Sequence, residues 1–195
     1  MTTFYTADPH YGHEAIIEKC SRPFSSAAEM DREMIARHNE VVGNSDDVYI
    51  IGDFGLGNSR YLQQVFRKLN GRKHLIIGNH DRREALKLPW SSAPKDRREV
   101  KDGDRTIVLD HYAMRTWNKM LWGAYHFFGH SHGKLPGFGR SCDVGVDAWD
   151  FRPVTADQAI ARMMECNDDF NAYVAASVKD AEAEVDTAAV FGFSR

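Results

Sequence analysis

The sequence feature that most constrains this chain is Gly78-Asn79-His80-Asp81, a polar run that directly follows the apolar residues 75–77. A short β-branched run that ends at a glycine is typical of a buried strand with a polar loop at its carboxyl end. The loop offers an amide oxygen, an imidazole and a carboxylate in three consecutive positions. This combination favours metal binding or proton transfer, although a solvated turn can have the same composition.

Four other polar clusters each follow a short apolar run of their own, so the loop after residue 77 is one of a set. Five clusters that all begin where a predicted strand ends indicate one shared site rather than five unrelated turns. The other four are Asp8-Pro9-His10, Gly52-Asp53, His111 and Gly129-His130-Ser131-His132.

The first half of the chain alternates strands and helices in the order β-α-α-β-α-β, which is expected of a sheet flanked by helices. Capping signals at Ser26, with Glu29 three residues later, and at Asn58-Ser59 mark the starts of two of these helices. Strands are predicted at residues 2–7, 48–51 and 75–77, and helices at residues 13–20, 27–41 and 59–69.

The second half is rich in strands and predicts a second sheet packed against the first. Residues 98–101 and 105–109 flank Asp102-Gly103-Asp104, a pattern typical of a hairpin. Further strands are predicted at residues 124–128 and 141–146. Thr155 and Gln158 form a capping box that predicts a last helix through Met164.

The length of 195 residues is sufficient for one domain with a sizeable core. We predict a single domain over residues 1–178, followed by an acidic, alanine-rich tail over residues 179–195. The formal net charge of −3 offers no general electrostatic footprint for nucleic acid.

Three widely spaced cysteines, without a C-x-x-C pair, favour reduced thiols over a disulfide framework. No signal peptide is indicated, and no apolar run approaches the roughly 20 residues that cross a bilayer. These features predict a cytoplasmic protein with no membrane partner.

In chain order the five clusters form the pattern D-x-H, G-D, G-N-H-D, H and G-H-x-H. This ordered set closely resembles the calcineurin-like metallophosphoesterase superfamily, and the resemblance spans residues 8–132. Further stretches are similar to a small stand-alone subgroup of bacteria and phages. They are Gly12-His13, Arg22-Pro23-Phe24, His111-Tyr112 and Val144-Gly145-Val146-Asp147.

The resemblance implies an α/β fold, a four-layer α-β-β-α sandwich of two packed, mostly mixed β-sheets with every ligand loop at one edge. It also implies two divalent metal ions bound by seven residues. Asp8, His10 and His132 bind one ion, Asn79, His111 and His130 bind the other, and Asp53 bridges both.

Two divalent ions about 3.5–4 Å apart can clamp a phosphate and hold a bridging hydroxide for in-line attack. Asp8 and Asp53 supply two negative charges against four positive ones, so the centre favours an anionic phosphoester. Imidazole and carboxylate ligands without thiolate favour Mn, Fe, Zn, Co or Ni over Mg alone, with Mn²⁺ as the first choice.

His80 remains after the metal ligands are assigned, and we expect it to protonate the leaving alkoxide while Asp81 orients its ring. His13 and Arg22, and less directly Arg115, are candidates for contact with the substrate phosphate. Other polar residues are expected to be structural: Asp143 and Asp147 within the second sheet, and His38, His74 and His126 within helices or strands.

These residues predict a binuclear metal-dependent phosphoesterase, acting on a phosphodiester of a small or nucleotide-like substrate. A non-catalytic scaffold of the same superfamily is an alternative, but such scaffolds typically lack ligands or the loop histidine, and this chain has both. A nuclease is a third reading of the motifs. Residues 95–101 are basic, whereas the net charge and the absence of an added binding domain oppose it.

Overall fold

The computed structural model describes residues 1–167, which contain two four-stranded β-sheets and five α-helices. The strands are β1 (Thr3–Thr6), β2 (Asp47–Ile51), β3 (Arg72–Ile76), β4 (Arg97–Asp102), β5 (Arg105–Asp110), β6 (Tyr125–Phe128), β7 (Ser141–Asp143) and β8 (Val154–Thr155). The helices are α1 (Ala15–Lys19), α2 (Ala27–Val41), α3 (Ser59–Lys68), α4 (Arg83–Leu86) and α5 (Ala156–Cys166).

Each sheet mixes parallel and antiparallel pairs, as predicted. The first sheet has the order β3-β2-β1-β8, in which β1, β2 and β3 are parallel and β8 pairs antiparallel with β1. The second has the order β4-β5-β6-β7, in which β4 and β5 form the predicted hairpin and β5, β6 and β7 are parallel. The α/β fold with two packed sheets is therefore confirmed.

The core between the sheets is apolar because alternate residues of each strand point to it. Tyr5 lies edge-on to Phe127 of the second sheet, with ring centroids 4.9 Å apart. The opposite face of the first sheet packs against α2 and α3, where Met30 and Met34 are buried as the predicted apolar stripe. Strands buried on both faces explain the nearly continuous apolar runs in the sequence.

The outer face of the second sheet is packed differently from the first. Within residues 1–167 it is covered by the turn-rich segment 114–124, whose Trp117 and Met120 pack on Val108 of β5. The indole N–H of Trp117 donates to the carbonyl oxygen of Ala124 and closes this segment. The fourth layer of the sandwich is thus a loop in the described part of the chain.

The predicted strand over residues 141–146 is shorter, because the chain leaves the second sheet at Asp143. Ala7 N–H donates to the carbonyl of Val144, and Val146 N–H donates to the carbonyl of Ala7. This pairing draws the segment towards the first sheet and joins the two sheets beside the end of β1. A single 3₁₀ turn, Val146–Ala148, follows.

Helix starts agree with the capping signals, with one change. Asn58 accepts from Tyr61 N–H, and Thr155 and Gln158 form the complete reciprocal box. Ser26 accepts from Glu29 N–H, but the Glu29 carboxylate returns to the N–H of Ser25 instead of Ser26. The short α4 and the two-residue β8 were not predicted, because both are too short for a periodic pattern.

The described residues include no helix that combines the length and the hydropathy needed to cross a bilayer. The predicted tail, residues 179–195, lies outside the described residues, as does the predicted domain end at residue 178.

Asp31 of α2 is a buried carboxylate beside the first ligand loop. It accepts from the N–H of Gly12 at 2.9 Å and from the hydroxyl of Tyr61. Burial raises the pKa of Asp31 to about 6, from an ordinary value of 3.8. The folded protein therefore binds a proton at Asp31 more tightly than the unfolded chain does. The resulting contribution of Asp31 to the stability of the fold is complete below pH 3.8 and is lost as pH rises through about 6.

We therefore expect Asp31→Asn to gain stability relative to the unmodified chain between pH 4 and pH 6, by roughly 1–3 kcal/mol. Urea denaturation of both proteins in the presence of a chelator, followed over this pH range, measures the difference. Parallel stability curves would show that the Asp31 carboxylate does not titrate in this window.

Candidate metal centre

All five polar clusters lie at one edge of the molecule, because each follows the carboxyl end of one of the parallel strands β1, β2, β3, β5 and β6. The backbone there is strained. Non-glycine residues with positive φ are uncommon and occur preferentially at functional sites. Five of the seven predicted ligands adopt such angles: Asp8 (56°), His10 (53°), Asp53 (56°), His130 (66°) and His132 (50°).

Asp53 lies at the centre of the cluster and is buried. Its Oδ1 accepts from the N–H of His80 at 2.8 Å. Its Oδ2 lies 3.4 Å from Nε2 of His10 and 3.6 Å from Nε2 of His111. The preceding Gly52 is needed for this approach, because its φ is 88° and a Cβ there would collide with the His111 ring.

Asn79 and His111 approach each other with atoms that both carry lone pairs. Nδ1 of His111 lies 3.0 Å from the carbonyl oxygen of Ile51, which can only accept, so Nδ1 carries the proton. In the neutral ring, Nε2 of His111 then carries a lone pair, and it lies 2.9 Å from Oδ1 of Asn79. Nδ1 of His130 lies 3.0 Å from the same Oδ1. Two lone pairs that face each other, those of His111 and Asn79, suit a shared cation.

Asp8 and His10 each hold one buried polar atom with no hydrogen-bond partner among the described residues, Oδ1 of Asp8 and Nε2 of His10. The second carboxylate oxygen of Asp8 accepts from the N–H of His130 at 2.8 Å. Such buried atoms are costly unless a ligand satisfies them. Asp8, His10 and His132 offer ligand atoms within 4.8 Å of one another, and so do Asp8, Asp53 and His111.

The electrostatics of the cluster agree with a bound cation. Burial, and then the neighbouring Asp53 carboxylate, raise the pKa of Asp8 well above its ordinary value. Burial also lowers the pKa of His10 to about 2, which leaves its imidazole neutral. A divalent ion would offset the repulsion of the two carboxylates and use the neutral imidazole nitrogens. The residues present therefore fit a divalent metal.

Asp81 has a role that the sequence did not predict. Its carboxylate accepts from the N–H groups of Gly78 (2.8 Å), Asp53 (2.9 Å) and Phe54 (2.9 Å). These bonds tie the loop after β3 to the loop after β2. None of these bonds involves the His80 ring, and the orientation of that ring by Asp81 stays a prediction.

His80 and His13 lie beside the cluster, outside the groups of ligand atoms just described. The His80 ring centroid is 5.5 Å from that of His10 and 6.3 Å from that of His13. Nδ1 of His13 lies 3.2 Å from Nδ1 of His10. Both side chains are partly exposed, and their predicted roles in proton transfer and phosphate contact remain predictions.

Arg22 does not reach into solvent, which corrects its predicted role as a phosphate ligand. Its side chain is fully buried, and it donates to the Asp147 carboxylate and to the carbonyls of Asp8 and Pro9. Asp147 is likewise not a residue of the second sheet, since it lies in the 3₁₀ turn and contacts His132. Sequence reasoning missed this pair, although both residues lie in motifs that the resemblance had singled out.

The remaining polar residues behave as structural groups. His38, His74 and His126 each bond to neighbouring backbone or side-chain atoms away from the cluster. Asp143 accepts from Ser131 and Gly133 and so holds the loop of His130 and His132.

Arg115 is exposed on the segment that covers the second sheet. Tyr112, 49% exposed, packs on the His130 ring at 4.7 Å and was not predicted.

No protein-family model matches the chain. The Gene 66 protein of Mycobacterium phage D29 is 32% identical over 181 residues, a match that covers 75% of this chain and 88% of that protein. An uncharacterized protein of Methanocaldococcus jannaschii is 37% identical over 81 residues, 40% of this chain. The chain spans less than half, 46%, of the length of that archaeal relative.

Among solved structures, a protein of unknown function from Aquifex aeolicus aligns with a TM-score of 0.63 at 18% identity, covering 83% of this chain and 98% of that one. This match confirms the predicted α/β fold of two packed sheets. The phosphoesterase YfcE from E. coli also matches, at 16% identity over 74% of this chain and 78% of its own. Its TM-score of 0.39 is too low to transfer an activity.

We expect Asp53→Ala to lose most of the metal that the unmodified chain retains, about two ions per chain, because Oδ2 of Asp53 faces a histidine of each predicted ion. Metal analysis of protein purified without chelators measures this content. Asp96→Ala, which removes an exposed carboxylate, should keep its metal. Full metal content in Asp53→Ala would contradict the central position of Asp53.

Proposed function

We propose that this chain, which belongs to the family of the Gene 66 protein of Mycobacterium phage D29, is a metal-dependent phosphoesterase with two divalent ions in its active site. The observation that best supports the proposal is a pair of ligand groups that share Asp8. One group contains Asp8, His10 and His132, and the other contains Asp8, Asp53 and His111. Two overlapping groups of this kind suit two neighbouring ions better than one.

The division of ligands between the ions that we propose is the one that the motif resemblance implies, and the contacts of Asp53 support it. Asp8, His10 and His132 would hold the first ion, and Asn79, His111 and His130 would hold the second. Asp53 is suited to bridge them, because its Oδ2 lies near a histidine of each set. Mn²⁺ is the first candidate for both positions, as the ligands are imidazoles, carboxylates and an amide without thiolate.

When bound, such ions polarise a phosphoryl oxygen and supply a water-derived nucleophile at neutral pH. The protein residues determine which substrates can bind. Asp8 and Asp53 are the two carboxylates among seven ligands, and the neutral Asn79 adds no negative charge, so the loaded centre attracts anions. Asn79 and His130 are exposed, so a phosphoester can enter from solvent on the side of the second ion.

The role that we propose for His80 is proton transfer to the leaving group. Its backbone N–H is held by Asp53, which fixes the loop beside the metal ligands, while its side chain is partly open to solvent. An imidazole that binds no metal can donate a proton to an alkoxide as the ester bond breaks. Asp81 contributes by holding the same loop through backbone amides.

The substrate we propose is a phosphodiester of a small or nucleotide-like molecule. Asn79 and His130 are exposed and His80 is partly exposed, which supports a substrate that carries a substituent on each side of the phosphorus. A screen of phosphomonoesters, linear phosphodiesters and cyclic nucleotides, with each metal added separately, should give the highest turnover on a diester with Mn²⁺. Asp53→Ala, purified in parallel, controls for contaminating hydrolases. Absence of turnover on every ester by fully metallated protein would favour the scaffold alternative.

We expect His80→Ala to keep its metals and to lose about 10²–10⁴-fold in turnover on esters with poorly acidic alcohols. Nitrophenyl esters, whose leaving group needs little protonation, should be affected least. Steady-state kinetics on both ester types, with metal analysis of the same samples, measure the two effects. His74→Ala is a matched control, since His74 bonds to Ser92 and Asp47 away from the site.

Two outcomes would change the assignment of His80. An equal loss on both ester types would indicate that His80 binds the phosphate or positions the nucleophile. Loss of metal in His80→Ala would mean that the histidines are divided wrongly between metal binding and proton transfer.

A further inference from the structure

We propose that Arg22 and Asp147 are positioning residues that together support all three ligands of the first ion, Asp8, His10 and His132. The inference rests on the proposed metal centre and adds to it a specific dependence of one ion on a buried ion pair. Arg22 lies between α1 and α2, and Asp147 lies in the 3₁₀ turn after β7, 125 residues further along the chain.

The Arg22 guanidinium is buried and its donors are directed to two different parts of the centre. Nε and Nη2 donate to the two carboxylate oxygens of Asp147, each at 2.8 Å. Nη1 donates to the carbonyl of Pro9 at 3.0 Å, and Nη2 donates also to the carbonyl of Asp8 at 2.8 Å. The planar fork of an arginine suits such a set, and a lysine cannot reproduce it.

The two carbonyls that Arg22 holds belong to the strained loop of the first cluster. Asp8 and His10 both adopt positive φ angles, so this loop needs outside contacts to stay in place. Hydrogen bonds to the carbonyls of residues 8 and 9 fix the peptide groups on either side of Pro9. Arg22 therefore holds the backbone that directs the side chains of Asp8 and His10 into the centre.

Asp147 acts on the third ligand. Its Oδ2 lies 2.8 Å from Nδ1 of His132 and can only accept, so the neutral His132 ring carries its proton on Nδ1. Nε2 of His132 is then free to bind a metal. A carboxylate behind a metal-binding histidine fixes the tautomer and orientation of the ring, and its loss typically weakens metal binding.

The second ion has separate support. Nδ1 of His111 is held by the carbonyl of Ile51, and the loop of Asn79 is held by the amides that Asp81 accepts. Among the described residues, the hydrogen bonds of Arg22 and Asp147 include none to Asn79, His111 or His130. Loss of the pair should therefore weaken the first ion far more than the second, which in the described part of the chain contacts the first set only through Asp53 and through the bond from His130 N–H to Asp8.

A different metal site, one that uses Asp147 itself as a ligand, is less well supported. Cys20, His132 and Asp147 also offer ligand atoms within 4.8 Å of one another. However, both oxygens of Asp147 already accept from Arg22, and the positive guanidinium beside them opposes a further cation. The carboxylate is better explained as the partner of Arg22 and His132.

The decisive experiment is calorimetric titration of metal-stripped protein with Mn²⁺. We expect Asp147→Asn to bind one of two ions about 10–100-fold more weakly and the other within about twofold of the unmodified chain. Asp47→Asn is a control, since Asp47 also joins an arginine and a histidine, Arg72 and His74, at the opposite end of β2. It should bind both ions normally. Unchanged affinity for both ions in Asp147→Asn would overturn the proposal.

His132→Ala distinguishes failure of this inference from failure of the metal centre. If that variant also binds both ions normally, the ligand assignment itself is wrong. If only His132→Ala loses an ion, the centre stands and Asp147 does not position it. If Asp147→Asn does not fold, Arg22→Lys provides a second test. This variant keeps the positive charge but removes the planar guanidinium, and it should weaken binding of the same ion.

The tautomer of His132 can also be measured in the unmodified, metal-free protein. Nitrogen-15 NMR of the imidazoles, at a pH where they are neutral, should show the His132 proton on Nδ1. In Asp147→Asn that preference should weaken, a change that a purely structural contact would not cause. A proton on Nε2 of His132 in the unmodified protein would overturn the role of Asp147.

Discussion

Two carboxylates, Asp8 and Asp53, are buried beside each other at the edge shared by two apolar sheets, and the polar part of this protein is arranged around them. Each repels the ionised form of the other, which burial makes more costly. Backbone amides of His130 and His80 offset part of that cost, and imidazoles surround the two carboxylates. A divalent ion would supply the positive charge that offsets the remainder.

The sheets bring these groups together because their strands end at one place. Ala7 bonds to the segment after β7 through both its N–H and its carbonyl, so the first sheet and the chain leaving the second meet beside Asp8. The loops are then tied to one another rather than to solvent: Asp81 joins two of them, and Arg22 with Asp147 joins two more. This network holds five of the predicted ligands in positive-φ conformations that isolated loops would not keep.

Much of the fold was predictable because its signals are local. The strands β1, β2 and β6 contain short apolar runs, and β3 ends in one. Asn58 and Thr155 cap helices as their positions indicate. Elements without a periodic pattern, such as α4 and β8, were not predictable. The covering of the second sheet by residues 114–124 depends on the hydrogen bond from the indole N–H of Trp117 to the carbonyl of Ala124. No local sequence rule predicts that bond.

The sequence by itself determined which side chains have the chemistry of metal ligands, because ligand chemistry belongs to residue type and each cluster directly follows a strand. It did not determine what holds those side chains. Only the tertiary structure decided that Arg22 is buried against Asp147, that Asp147 contacts His132, and that Asp81 bonds to amides. The physical reason is that hydrogen-bond partners of polar side chains are chosen by proximity in space, and these partners lie up to 125 residues apart in the chain.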